Sequence, residues 1–82
     1  MSTVLRIDGY NVQIFTDDHR PAHVHVFAHG CELVVNLNQS PAYVSVRDNK
    51  GFKTREIATI LRLVQLHRDL LVKIWKGIHG NI

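Results

Sequence analysis

The sequence predicts an α+β fold, with a small antiparallel sheet of four to five strands over residues 3–47 and one long C-terminal helix over about 54–76. Three observations carry that expectation. Apolar residues alternate with polar ones through the front of the chain, which is the period of a strand with one buried face. Short turn dipeptides, Asp8-Gly9 and His29-Gly30, separate the alternating runs. Behind them the apolar period changes to that of a helix. The 82 residues allow a single domain over 1–82 and a single core.

Thr3 to Ile7 and Tyr10 to Phe15 read as a hairpin joined by Asp8-Gly9. In the second run Tyr10, Val12 and Ile14 share one face, and Asn11, Gln13 and Phe15 the other. Thr16 to Pro21 is a polar loop. Ala22 to Ala28 alternates strictly: His23, His25 and Phe27 lie on one face, Val24 and Val26 on the other. Cys31 to Leu37 follows the His29-Gly30 turn, Asn38 to Pro41 is a loop, and Tyr43 to Val46 adds a short fifth strand. Asp48-Asn49-Lys50-Gly51 ends the strand region, and Thr54 is placed to cap the helix, with Gly77 or Gly80 as stop signals.

At ~100° per residue, Ile57, Ile60, Leu61, Val64, Leu71, Val72 and Trp75 form one apolar stripe on that helix. Leu63, Leu66, Leu70 and Ile74 form a second stripe beside it. Two stripes mean either a deeply embedded helix or one that also meets a partner, a second copy of the chain included.

Composition narrows the function classes. Hydrophobic residues are 45% and charged residues 21%, too apolar for a disordered tail. No apolar run is long enough for a bilayer. One cysteine, Cys31, excludes a disulfide framework and a Cys-based zinc site, and a reduced cytoplasmic setting is expected. Ten Lys and Arg against seven acids give +3, a balance compatible with a nucleic-acid partner. There is no Gly-rich phosphate loop, no His-Glu-x-x-His helix and no Gly-x-Ser-x-Gly elbow. The acids are too scattered for a multi-carboxylate magnesium nuclease.

Chemistry concentrates in Asp18-His19-Arg20-Pro21-Ala22-His23-Val24-His25-Val26. Two positions apart on a strand, His23 and His25 share a face, roughly 7 Å apart at the base. Paired imidazoles there serve as general acid and base near neutral pH, with Asp18 orienting one of them. They serve equally as two metal ligands, with Asp18 or His19 as the third. A half-solvated strand face that happens to use histidine is the plain alternative. Arg68 falls near the centre of the main apolar stripe, so it must find a carboxylate, such as Glu32 or Asp8, backbone carbonyls, or a bound anion such as a phosphate. Arg20 is a second phosphate candidate. With Val24 and Val26 toward the helix, His23 and His25 point away from it, which sets Arg68 on the other side of the sheet.

The whole chain resembles a known family. Thr3 to Ile7 with Gly9-Tyr10, the Asp18-to-Val26 block, and Leu66-His67-Arg68-Asp69-Leu70-Leu71 followed by Trp75 are similar to domain-of-unknown-function family 4160. Ala22 departs from the pattern, standing where the family commonly has a second proline. The resemblance implies a few antiparallel strands with a C-terminal helix. It also implies frequent pairing with a second small protein encoded alongside, and so a bacterial toxin–antitoxin module. The leading expectation is a toxin-like endoribonuclease that needs no metal or cofactor. In it His23 and His25 handle protons, Asp18 orients an imidazole, His19 completes the catalytic set, and Arg68 or Arg20 holds the phosphate. A non-enzymatic binding module and a His-based metalloprotein are the alternatives.

Overall fold

The computed structural model describes residues 2–39 and 41–80, with side chains from residue 5 onward. Ser40, within the expected Asn38-to-Pro41 loop, lies outside the described residues. Five strands form one antiparallel sheet in chain order: β1 (Ser2–Ile7), β2 (Tyr10–Ile14), β3 (His23–Ala28), β4 (Cys31–Gln39) and β5 (Ala42–Lys50). The fold is therefore α+β, as the alternation predicts, with β5 running on to Lys50 rather than stopping at Val46.

Two tight turns set the register. Asp8 and Gly9 have φ of 48° and 85°, and His29 and Gly30 have φ of 35° and 80°. Both pairs have the left-handed conformations of a two-residue hairpin turn whose twist matches its strands. The second turn pairs Ala28 with Cys31, Phe27 with Glu32 and Val26 with Leu33. Gly51, at φ of 103°, turns the chain off β5, and a Cβ there would stand 2.8 Å from the Cys31 sulfur. Only glycine fits both conditions.

Val12, Ile14, Val24, Val26, Leu33, Val35 and Leu37 are buried on one face of the sheet, against Ile60, Val64, Leu71 and Trp75. The main helical stripe is thus the core stripe. The expected single helix is instead two, α1 (Thr54–Leu66) and α2 (Arg68–His79), broken at His67. The cause is local. The His67 amide is shared between the Leu63 and Val64 carbonyls, and its own Nδ1 bonds the Leu63 carbonyl at 2.9 Å, which tightens that turn. Thr54 is also the first helical residue rather than its cap; the cap position is Lys53 and no side chain caps it. α2 runs past Gly77 and ends at Gly80.

From α2, Trp75 comes within 5.2 Å of His23 and the His79 ring bonds the Phe15 carbonyl at 3.2 Å. Among the described residues no helix is long and apolar enough to cross a membrane.

Candidate functional site

The site begins at the β2–β3 loop, on the sheet face opposite Val24 and Val26, but His23 is not clear of the helices as the strand geometry predicts, because α2 brings the core residue Trp75 against its ring. There the Phe15 amide donates to Asp18 Oδ2 at 3.0 Å, while the Asp18 amide donates to the Phe15 carbonyl at 3.1 Å. This reciprocal turn, favoured by an aspartate, leaves Oδ1 facing β3. The loop returns through a cis Arg20–Pro21 bond into β3, whose pleat puts His23 and His25 on the same face.

Asp18 Oδ1 lies 3.1 Å from His25 Nε2 and 3.4 Å from His23 Nε2. The other ring nitrogens are also engaged. His23 Nδ1 is 3.0 Å from the Pro21 carbonyl, which also accepts from Arg47 Nη2 at 3.1 Å. His25 Nδ1 is 2.9 Å from Glu32 Oε2. An acid on each side of one imidazole thus clamps His25. The side chains of His23, His25 and Asp18 are only 6%, 14% and 11% exposed. Burial pushes His23 below the ordinary imidazole value, and the Arg47 charge and His25 act the same way, against Pro21 and Asp18. Burial alone would raise Asp18, but the Phe15 amide and the two histidines outweigh it and hold the carboxyl below its usual range.

The Asp18, His23 and His25 predicted as a set do converge. His19 is exposed and stands outside that convergence. Arg20 is exposed in the loop. Arg68 is apart from the histidines, as the strand geometry requires. It is 7% exposed, and its Nε and Nη2 donate to the Asn38 carbonyl at the end of β4, with Nη1 at 3.3 Å from Asp69. Of the partners the sequence leaves open, the structure pairs it with a backbone carbonyl and with Asp69, not with Glu32 or Asp8.

The sequence offers Glu32 only as a partner for Arg68, yet it completes the His25 clamp. The hairpin register shows why: with Phe27 opposite Glu32, Glu32 is the diagonal neighbour of His25 on the same face.

Glu32 also leads into a second feature. Arg6, Asn11, Phe27, Glu32 and Lys50, one residue from each strand, line an open groove of about 520 Å³. Phe27 lies on its floor in a row of rings, 6.3 Å from His25 and nearly parallel to it, with Phe15 4.4 Å beyond on the His25 ring. Arg6 donates to Asn11 at 3.3 Å, and the Lys50 ammonium stands 4.0 Å from Glu32. His23 and His25 do not line this groove.

A family model described as a domain of unknown function, DUF4160, matches residues 9–76. No curated protein and no solved structure matches the chain. The matched stretch takes in β2 to β5, α1 and most of α2, and with them Asp18, His23, His25 and Glu32; the chain belongs to the DUF4160 family.

Proposed function

We propose that this protein binds single-stranded RNA on its open sheet face, as the toxin-like member of a bacterial toxin–antitoxin pair acting in the cytoplasm. The observation that carries the RNA reading is the groove: an aromatic floor at Phe27 between two cations, Arg6 and Lys50. A sheet face that offers a ring for a base and cations for the flanking phosphates is a recurrent way to hold single strands. The net charge of +3 works in the same direction. Proton transfer by His23 and His25 is not part of this reading, because their ring nitrogens face Pro21, Asp18 and Glu32 rather than the groove.

Fluorescence anisotropy with a labelled oligoribonucleotide tests the proposal. Phe27→Ala is expected to weaken binding about 10-fold or more, since base–ring stacking contributes ~1–3 kcal/mol. The Arg6→Gln, Lys50→Gln double variant is expected to flatten the slope of log affinity against log salt by about 1.4, the loss of two phosphate contacts on a single strand. Affinity unchanged in both variants would remove the groove from consideration.

The partner half of the proposal is supported by the second helical stripe. Of that stripe Ile74 packs on the core, while Leu66 is 72% exposed and Leu70 46% exposed, so these two leucines are not absorbed by the sheet. An apolar pair on the solvent side of adjoining helices suits a small protein partner. The adjacently encoded product, co-expressed, is expected to co-purify with the wild-type chain and to be lost from Leu66→Glu, Leu70→Glu. Retention by that variant would place the contact elsewhere.

A further inference from the structure

We infer that Asp18, His23 and His25 form a binding site for one borderline transition-metal dication, of the zinc, iron or cobalt class. The Pro21 carbonyl can only accept, so the 3.0 Å contact requires the proton of His23 on Nδ1. Ionised Glu32 can only accept, so His25 must likewise carry a proton on Nδ1. A neutral imidazole then presents a bare lone pair at Nε2. Both Nε2 atoms turn toward Asp18 Oδ1, at 3.4 and 3.1 Å. In that tautomer two nitrogen lone pairs and a carboxylate oxygen converge on one point, a donor set in which a dication takes the place of the proton that otherwise joins His25 to Asp18.

The two separations from Asp18 Oδ1, 3.1 and 3.4 Å, are those of ligands on one ion. Ligands about 2.0–2.2 Å from one ion stand roughly 3.0–3.5 Å apart at tetrahedral or octahedral angles. All three ligand atoms lie within 4.8 Å of one another. The supporting contacts have the form that metal sites use: a carbonyl on one Nδ1 and a carboxylate on the other fix the tautomers, and the Phe15 amide on Oδ2 orients the aspartate. Trp75 beside His23 and Phe15 beside His25 shield two sides. Two imidazoles and one carboxylate leave coordination positions for water or substrate, and this donor set selects the transition series over magnesium or calcium. His19, an alternative third ligand by sequence, is not needed.

The site does not depend on RNA binding, since Phe27, Arg6 and Lys50 supply no ligand. The experiment is titration of the full, tag-free chain with Co²⁺ and then Zn²⁺. One equivalent of Co²⁺ is expected to give visible d–d absorption that Zn²⁺ abolishes, and saturating Zn²⁺ to raise Tm by on the order of 10 °C. Glu32→Gln, which leaves all three ligands in place, is expected to weaken Zn²⁺ binding about 10–100-fold. Phe27→Ala is expected to bind as the wild type does. On the unaltered chain, NMR of the imidazole nitrogens is expected to show Nε2 of His23 and His25 moving on Zn²⁺ addition. Failure to take up either ion, or uptake with those two resonances unmoved, would overturn the site without touching the RNA reading.

Discussion

Trp75→Ala is expected to destabilise the protein by about 3–5 kcal/mol, the usual cost of emptying a fully buried aromatic site. Trp75 has no exposure and belongs to the core formed by β2, β3, β4 and the helices. Its ring also lies 5.2 Å from His23 and 4.1 Å from His79, which itself holds the Phe15 carbonyl. Removing it therefore opens a cavity, releases the contact that fastens α2 to His23 at the start of β3, and takes away the ring that packs His79. Small domains have total stabilities near 5–15 kcal/mol, and for a chain of this size each kcal/mol moves Tm by about 4–8 °C. Tm should fall by on the order of 20 °C, followed by circular dichroism because Trp75 is the single tryptophan. Trp75→Phe, which keeps a ring there, should recover most of the loss. A fall of only a few degrees in Trp75→Ala would mean that α2 is held mainly by Leu71 and Val72.

What the sequence reveals and what it hides differ in physical kind. Strand alternation and the two turn dipeptides are local, and from them follow the sheet, its register and the pairing of His23 with His25 on one face. The helix break is also local in cause, yet it comes from a competition at the Leu63 carbonyl that apolar periodicity does not record. The core stripe continues through His67 because the residues on either side, Val64 and Leu71, stay in phase with the sheet. Contacts that need the third dimension were hidden. Arg47, the extra residue where β5 slips against β4 at Val34 and Val35, reaches Pro21 across 26 positions. The groove is hidden for the same reason: the β3–β4 turn supplies residues 27–32 of its lining, but Arg6, Asn11 and Lys50 join them from three other strands. Asp18 lay in plain view beside the histidines, whereas its preference over His19 rests on the turn with Phe15.

Arg68 separates stability from function most sharply. Its position in the apolar stripe demands a partner, and the partner found is the Asn38 carbonyl, reached by Nε and Nη2 together. That pair of charged hydrogen bonds ties the first turn of α2 to the end of β4, just where the helix restarts after His67. Arg68→Met keeps much of the apolar stem but removes every donor, leaving the carbonyl short of its partner. The expected cost is about 2–4 kcal/mol, from charged hydrogen bonds of ~1.5–3 kcal/mol plus the unsatisfied acceptor. Arg68→Lys, with one ammonium in place of a planar fork, should recover only part of it. Urea denaturation measures this directly. The folded fraction of Arg68→Met should still bind oligoribonucleotide with wild-type affinity, because the guanidinium faces Asn38 and Asp69 rather than the groove. Lys50→Gln should behave in the opposite way: its side chain is 71% exposed, so stability stays within about 0.5 kcal/mol while RNA affinity falls. If Arg68→Met instead lost RNA binding at unchanged stability, the phosphate-binding role expected of it from sequence would be restored. The contact with Asn38 would then have to be one that it exchanges for a ligand.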